Sequence, residues 1–213
     1  MFTGLIEKIC SIRSAQRNNN SMSLSVNLGD LAQECKIGDS IAINGVCLTI
    51  TKMEGEFADF DISGETLLKT SLGNLQTSSK VNIERAMKPT ERFGGHFVLG
   101  HIDGTAKIKK IDRKGEFADI EFSADSKLTD SMIEKGSVAI NGISLTISNL
   151  NKNSFHTVII PQTMKQTTLG NAITGELVNI ETDIIIKAVK KQLEYILPKK
   201  EMLSAEKLRE LGF

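Results

Sequence analysis

Hydrophobic and polar residues alternate along much of the chain, in short runs that are rich in β-branched side chains. Successive side chains of a strand point to opposite faces, so this alternation is typical of β-strands that are buried on one side. Glycine and asparagine separate the runs, and both residues favour tight turns. In the first half of the chain the pattern predicts strands at residues 23–28, 40–52, 57–63 and 80–85, with matching strands in the second half.

The chain repeats itself after 97 residues. The segment SIAINGVCLTI begins at Ser40 and returns as SVAINGISLTI at Ser137, and the tetrapeptide VNIE begins at both Val81 and Val178. Solenoid folds need at least three repeats, so two copies of this length indicate a duplicated domain. Each copy is long enough to form its own core. Several short strands with turns between them predict that each copy is a small closed barrel.

Two shorter recurrences do not keep the 97-residue separation. GLIE at residues 4–7 matches GHID at residues 100–103 with a separation that is one residue smaller, which a single insertion or deletion explains. GEFAD at residues 55–59 recurs at residues 115–119, far out of register with the repeat. We interpret this second recurrence as coincidence.

Helices are predicted at few places. One short helix per copy precedes the strand with the Asn-Gly pair, at residues 31–36 and 127–134, and a glycine follows each of them. From residue 183 to 197, apolar residues recur at helical spacing, and a second short helix can start at Ser204. An apolar stripe on a helix must be buried, either on the helix's own barrel or against another subunit. The sequence leaves both alternatives open.

Composition narrows the class of protein. Lys+Arg and Asp+Glu both number 26, so nothing suggests binding to nucleic acid or to a membrane surface. The N-terminus does not resemble a signal or transit peptide, and no apolar run is long enough to span a membrane. Three cysteines without CxxC spacing predict neither a disulfide framework nor a zinc site. A cytoplasmic enzyme with free thiols is expected.

Four motifs together resemble those of the riboflavin synthase family. They are the MFTGLIE start, the paired NGVCLT and NGISLT strands, the GGHFVLGHIDG junction and the IPQT segment, and they cover essentially the whole chain. The resemblance implies an all-β fold of two tandem homologous six-stranded Greek-key barrels plus a C-terminal α-helix. It places the N-terminal barrel at residues 1–96, the C-terminal barrel at 97–186 and a helical trimerisation segment at 187–213.

The resemblance also implies a reaction. One four-carbon unit passes between two molecules of 6,7-dimethyl-8-ribityllumazine, which yields riboflavin and 5-amino-6-ribitylamino-uracil without a metal or an organic cofactor. Each barrel is expected to bind one lumazine, and the N-terminal barrel of one subunit faces the C-terminal barrel of its neighbour in a homotrimer. Holding both substrates removes the entropy cost of their encounter. Association with lumazine synthase is a further expectation, whereas nucleic acid and membrane are not expected as partners.

Four residues are the candidates for catalysis: Cys47, His101, Ser144 and Thr146. Cys47 and Ser144 occupy matching places in the two copies, and a thiol of lowered pKa can move a proton or add to a ring. A cysteine can instead be a small buried core residue. An imidazole titrates near neutrality, although His101 could also be a linker histidine. His96 is interpreted as a weaker candidate, because the glycines before it suggest a hinge.

The remaining candidates are contacts to the substrate that the resemblance implies. Gly4, Leu5 and Ile6 are expected to contact the ring bound by the N-terminal barrel. In the first copy the other contacts are Ser40, Cys47, Leu48, Thr49, Asp61, Ile62, Ser63, Gly64, Glu65 and Thr66. From the junction onward they are Gly100, His101, Ile102, Lys135, Asn141, Ser144, Leu145, Thr146, Ile159, Ile160, Pro161, Gln162 and Thr163.

One position departs from the family pattern. Many members carry aspartate before the glycine of the second motif, whereas this chain has Asn141. An amide can orient a ribityl hydroxyl, but it cannot accept a proton as a base.

Two other classes of protein share parts of the pattern. Lumazine-binding accessory proteins of light emission share the duplicated barrel but lose parts of the reactive set, notably at Cys47 and the GHI segment. Flavin-binding barrels of reductases need a nicotinamide-binding partner domain, and no GxGxxG follows a predicted strand here.

Overall fold

A computed structural model describes residues 1–196 of the chain. The first half forms a closed barrel of six antiparallel strands in the order β1-β2-β5-β4-β3-β6. Hairpins join β3, β4 and β5. A longer connection joins β2 to β3, and β2 lies beside β5, which is the Greek-key arrangement. The strands are β1 (Lys8–Asn18), β2 (Ser21–Asn27), β3 (Ser40–Ile43), β4 (Val46–Glu54), β5 (Phe57–Ser63) and β6 (Lys80–Arg85).

The second half repeats the same barrel in the order β7-β8-β11-β10-β9-β12. Its strands are β7 (Gly104–Lys114), β8 (Phe117–Ser123), β9 (Ser137–Ile140), β10 (Ile143–Asn151), β11 (Ser154–Ile159) and β12 (Leu177–Thr182). Side chains fill each interior separately, including Phe60 in the first barrel and the stacked pair Phe122 and Phe155 in the second. The predicted fold of two tandem six-stranded barrels is confirmed.

The alternation pattern located some strands better than others. The predicted strands at 57–63 and 80–85 coincide with β5 and β6, whereas 40–52 is divided into β3 and β4 by a turn at Asn44 and Gly45. The pattern did not predict β1 and β7. Each GEFAD segment covers a turn and the start of the strand after it, but the two hairpins, β4–β5 and β7–β8, are not equivalent, which agrees with coincidence.

The short helices differ from the prediction. The helix expected at 31–36 is a single 3₁₀ segment at Gly29–Glu34, and the one expected at 127–134 is only α2 (Ser126–Thr129). The sequence also did not predict α1 (Gly64–Lys69) and α3 (Pro161–Gln166). Six residues are too few for apolar periodicity to show.

The last described element is α4 (Ile184–Ile196), which agrees with the helical pattern predicted from residue 183 and begins before the segment that the resemblance places at 187–213. Lys187 Nζ lies 2.9 Å from the Asp103 carboxylate, and Lys190 Nζ donates to the Asp130 carbonyl. The helix therefore contacts the C-terminal half of the chain. Val189 and Leu193 nevertheless stay 54% and 47% exposed. The end of the helix predicted at Leu197 and the second helix predicted from Ser204 lie outside the described residues.

The two barrels meet at their Asn-Gly turns. The Asn82 side chain donates to the Asn141 carbonyl, and the Asn179 side chain donates to the Asn44 carbonyl, at 3.0 and 2.8 Å. Asn44 and Asn141 in turn accept the backbone N–H groups of Asn82 and Asn179 through their side chains. These reciprocal contacts relate the barrels by an approximate two-fold axis.

Residues 86–103 connect the barrels and contact both of them. The Gly100 carbonyl accepts from Cys47 in the first barrel, while the His96 ring contacts Ser144 in the second. The predicted division at residues 96 and 97 therefore stays a prediction. Within residues 1–196, none of the helices has the length and apolar character that crossing a membrane requires.

The close approach of the turns leads to a stability prediction. A Cβ on Gly45, where φ is +79°, would lie 2.5 Å from the Gly142 backbone nitrogen, whereas a Cβ on Gly55, where φ is +60°, meets nothing within 4 Å. We expect Gly55→Ala to cost roughly 1–2 kcal/mol for its left-handed backbone alone. Gly45→Ala should cost about 1–3 kcal/mol more, because it also overpacks the joint. Denaturant unfolding measures both, and equal losses would contradict the contact.

Candidate functional site

The strand β4 places the first candidate residue on the outside of its barrel. Leu48 and Ile50 point into the core, so Cys47 and Thr49 point outward. The Cys47 backbone N–H donates to the Gly100 carbonyl at 3.0 Å, which brings the junction segment onto the strand. Cys47 is half-buried, and its thiol is unpaired.

A cleft of about 190 Å³ forms around Cys47. The junction supplies one wall and α1 supplies the other, where Ser63 accepts the backbone N–H of Thr66 as its N-cap. The structure thus brings six predicted site residues together: Cys47, Glu65, Thr66, Gly100, His101 and Ile102. Val46, Lys69 and Thr70 complete the lining.

Lys69 is not among the residues predicted from the sequence. Its ammonium lies 2.7 Å from the Glu65 carboxylate, one helical turn away. The i,i+4 spacing of the two charges was the available signal. At the matching positions of the second copy stand Gln162 and Gln166, so the charge pair belongs to the first barrel alone.

The second barrel carries an equivalent arrangement around Ser144. The Ser144 backbone N–H donates to the Gly4 carbonyl at 2.8 Å, as Cys47 does to Gly100. Thr146 is exposed on the same outer side of β10, and α3 matches α1. Ser144 also lies 2.7 Å from His96, measured from its Oγ to the ring Nδ1.

His96 is therefore more than a hinge. It is 7% exposed, and burial lowers the pKa of its imidazole, while the Asp183 carboxylate opposes that shift. The ring is consequently neutral at neutral pH, with one nitrogen able to donate and the other able to accept. The sequence held no clear signal for this pair, because His96 and Ser144 are 48 positions apart.

The expected place of Gly4, Leu5 and Ile6 is wrong. These residues lie at the C-terminal barrel: Gly4 contacts Ser144, and Ile6 packs against the second core. Ile102 correspondingly packs against the first core. Each segment leads into one barrel but first contacts the other. The two segments pair with each other at the joint, through an antiparallel bridge between Phe2 and Val98.

Two buried glutamates hold the crossing segments, and neither was predicted from the sequence. Glu84 accepts from the Thr3 backbone N–H at 2.6 Å and from Gly4 at 3.0 Å, and Glu181 accepts from Leu99 at 2.8 Å and Gly100 at 2.9 Å. Burial raises the pKa of both carboxyl groups, and these hydrogen bonds oppose the shift. The duplicated VNIE motif was the available signal.

Some predicted contacts do not face a cleft. Leu48, Ile62 and Ile159 are buried in the barrel cores, and Leu145 packs against the second core. Asn141 is 3% exposed at the joint, where its side chain accepts the Asn179 N–H, so its expected contact with a ribityl hydroxyl is not available.

The other predicted contacts lie at the outer surface of the two barrels. Ser40 pairs with Thr49 across β3 and β4, and the Lys135 ammonium lies 3.4 Å from the Ser148 carbonyl beside β10. The remaining members are exposed or half-buried: Asp61, Ser63, Gly64, Thr146, Ile160, Pro161, Gln162 and Thr163. Among residues 1–196, no three His, Cys, Asp or Glu side chains are grouped to hold a metal ion.

Known proteins resemble this chain in both sequence and fold. The riboflavin synthase of Actinobacillus pleuropneumoniae is 40% identical over 218 residues, which cover 100% of both chains. The riboflavin synthase of Bacillus subtilis (strain 168) is 41% identical over 187 residues, or 88% of this chain and 87% of the relative. That of Photobacterium phosphoreum is 38% identical and covers 100% of this chain and 99% of its own.

Solved structures of LumP share the fold. LumP complexed with 6,7-dimethyl-8-(1'-D-ribityl) lumazine superposes with a TM-score of 0.78 at 22% identity, and it covers 85% of this chain and 99% of its own. LumP complexed with riboflavin has a TM-score of 0.79 at 23% identity. This likeness shows the architecture alone.

A family model described as lumazine binding domain matches twice, at residues 3–86 and 99–183, which corresponds to the two barrels. The tandem match and the identity to curated relatives over the full length of the chain agree with each other. The chain belongs to the riboflavin synthase family.

Proposed function

We propose that each barrel binds one molecule of 6,7-dimethyl-8-ribityllumazine and that a four-carbon unit passes from one molecule to the other. The products are riboflavin and 5-amino-6-ribitylamino-uracil. The observation that carries this proposal is the cleft in which Cys47, Gly100 and His101 meet. The likeness to riboflavin synthases over the whole chain supports the same reaction.

At the N-terminal barrel, a thiol and an exposed imidazole line one cleft. The Cys47 thiolate can add to an electrophilic ring carbon or accept a proton, and His101 can carry protons between steps. Lys69 and Glu65 place opposite charges at the edge of the same cleft, where polar edge groups of a ring can meet them. This site has the groups for activating a ring as an electrophile.

At the C-terminal barrel, a neutral His–Ser pair takes the place of the thiol. The His96 imidazole lies within hydrogen-bonding distance of the Ser144 hydroxyl, so the pair can deliver or remove a proton at the ring edge. Thr146 lies on the same strand and adds a second hydroxyl. This site favours proton transfer, including removal of a proton from an acidified methyl group.

The difference between the two sites suits a dismutation. Two identical substrates must play different parts, one as donor and one as acceptor of the four-carbon unit. Duplication supplies two related sites, which differ chemically at three matching positions. The first site has Cys47, Lys69 and His101, where the second has Ser144, Gln166 and Leu5. Holding both molecules converts a bimolecular step into one within a single complex.

The chain is also proposed to form a homotrimer in which the N-terminal barrel of one subunit faces the C-terminal barrel of the next. The half-exposed stripe of Val189 and Leu193 on α4 supports a contact between subunits. Unpaired Cys10, Cys35 and Cys47 support a cytoplasmic location. Association with lumazine synthase stays a prediction, and no contact within residues 1–196 bears on it.

A second candidate function is binding of a lumazine or flavin without catalysis, as an accessory protein. The shared fold with LumP favours it. The presence of both Cys47 and the Gly100-His101-Ile102 segment in one cleft favours the enzyme instead.

The first test is the reaction itself. We expect purified protein to convert the lumazine to riboflavin in the presence of a chelator, with no added nucleotide or nicotinamide, because its own side chains supply the proton transfers. Absorbance and chromatography should show equal amounts of riboflavin and the uracil product. Stoichiometric lumazine binding without product would instead support the accessory protein.

The second test separates catalysis from binding at the first cleft. Cys47→Ser and His101→Gln should each lower kcat by about 100-fold, since positioned acid–base groups contribute at least that much. The lumazine Kd should change little, because such groups act mainly in the transition state. Cys35→Ser is the matched control, since Cys35 lies outside the cleft with its thiol on the Leu31 carbonyl. Normal kcat in Cys47→Ser would assign that thiol to packing.

The third test concerns the helix stripe. Val189→Asp should dissociate the trimer, because a carboxylate on a buried apolar contact is left without a partner. Gln192→Asp adds the same group to an exposed position of α4 and should leave the assembly intact. Sedimentation velocity measures both, and turnover by Val189→Asp should become dependent on protein concentration. A persistent trimer in Val189→Asp would show that other surfaces join the subunits.

A further inference from the structure

Glu84 is buried on the last strand of the first barrel and holds the N-terminal segment. Its Oε1 accepts from the Thr3 backbone N–H and hydroxyl at 2.6 and 2.7 Å, and its Oε2 accepts from the Gly4 N–H at 3.0 Å. The held segment does not stay on the first barrel. It lies on the outer side of β10, where Gly4 accepts from Ser144.

Glu181 repeats the arrangement on the last strand of the second barrel. Its two oxygens accept from the Leu99 and Gly100 backbone N–H groups at 2.8 and 2.9 Å. Gly100 then contacts Cys47 of the first barrel, and His101 follows it directly into the cleft. The carboxylate of each barrel therefore holds a segment that contacts the site of the other barrel.

Gly4 and Gly100 pack so closely against Ser144 and Cys47 that neither could carry a side chain. A Cβ on Gly4 would lie 2.6 Å from the Ser144 Cβ, and a Cβ on Gly100 would lie closer still to the Cys47 Cβ. Both glycines have positive φ, so the backbone itself forms the wall of each site. A small shift of either segment changes the wall directly, and with it the place of His101 at the first site.

We propose that Glu84 and Glu181 are positioning residues that act crosswise: Glu181 sets the wall of the Cys47 site, and Glu84 sets the wall of the Ser144 site. The proposal rests on the proposed function only for its kinetic consequence. The arrangement of the walls is independent of which ligand binds there.

The chemistry of the contacts requires a carboxylate. Two adjacent backbone N–H groups point at the two oxygens, and a carboxylate offers only acceptors. A glutamine offers one acceptor and one NH₂ group, so one N–H would face another donor in a buried place. Glutamine keeps the volume of glutamate, which makes it a matched probe of the hydrogen bonds.

A purely structural role predicts a different result from a crosswise one. If the two carboxylates only stabilise the barrels, either glutamine variant weakens both sites together. If they position the walls, Glu181→Gln disturbs the Cys47 site and spares the Ser144 site, and Glu84→Gln does the reverse.

The experiment measures both sites without substrate, in a Cys35→Ser background. Iodoacetamide should alkylate Cys47 faster in Glu181→Gln, because the wall beside the thiol shifts. The rate should rise on the order of tenfold, which matches the loss of one hydrogen bond to a charged group. Cys10 is buried and serves as the internal reference. In Glu84→Gln the Cys47 rate should equal that of the parent, while the NMR resonances of the His96 ring shift, because Thr3 and Ser144 contact that residue.

Kinetics then connects the walls to turnover. Each variant should lower kcat, since a small misplacement of a reacting group is costly, and Glu181→Gln should weaken lumazine binding at the Cys47 site alone. If Glu84→Gln does not fold, Thr3→Val keeps the carboxylate and its two backbone N–H donors, and removes the Thr3 hydroxyl that donates to Glu84 and accepts from the Leu5 N–H. It should shift the His96 resonances by less. Equal effects of both variants on Cys47 and His96, or no effect on either, would overturn the proposal. A crosswise pattern in a protein that makes no riboflavin would retain the positioning and reject the proposed reaction.

Discussion

At the joint between the barrels, the backbones of Gly45 and Gly142 lie so close that no side chain fits between them. Four asparagines surround this contact, and each uses its side chain to satisfy a backbone group. A buried polar group without a partner is costly, so this set of hydrogen bonds specifies one relative orientation of the barrels. The Cys47 cleft and the Ser144 site both depend on that orientation, because each takes one wall from a segment that crosses the joint.

The crossing explains how two copies of one domain can share in each other's sites. The segment that enters the first barrel contacts Ser144 of the second, and the segment that enters the second barrel contacts Cys47 of the first. Neither site is complete within one barrel. The duplication therefore has a physical consequence beyond doubling the number of sites: an isolated half of the chain would lack a wall.

The two sites share a frame but differ in chemistry. The frame consists of an outward residue on β4 or β10, a short helix and a crossing glycine. Onto it the first barrel adds a thiol, a histidine and a charge pair, whereas the second adds a hydroxyl in contact with a buried neutral histidine. Chemical difference within a symmetric frame is what a reaction between two identical substrates requires.

The sequence by itself determined the duplication and the strand-rich class, and it named candidate residues for the chemistry. The paired NGVCLT and NGISLT segments predicted that Cys47 and Ser144 are equivalent, because identity in register survives without knowledge of contacts. Local pattern also located β5, whose alternation reflects one buried face, and β6, whose four middle residues are all buried. It did not predict six-residue helices such as α1 and α3, since so short a segment shows no periodicity.

Only the tertiary structure decided which segment serves which site. Gly4 and Gly100 begin the related segments GLIE and GHID, and nothing local shows that each crosses to the opposite barrel. The pairing of His96 with Ser144 and the burial of Glu84 and Glu181 likewise depend on contacts between residues that are 48 to 82 positions apart. Such contacts are fixed by how the two barrels pack, and the packing depends on the hydrogen bonds at the joint and not on any pattern along the chain.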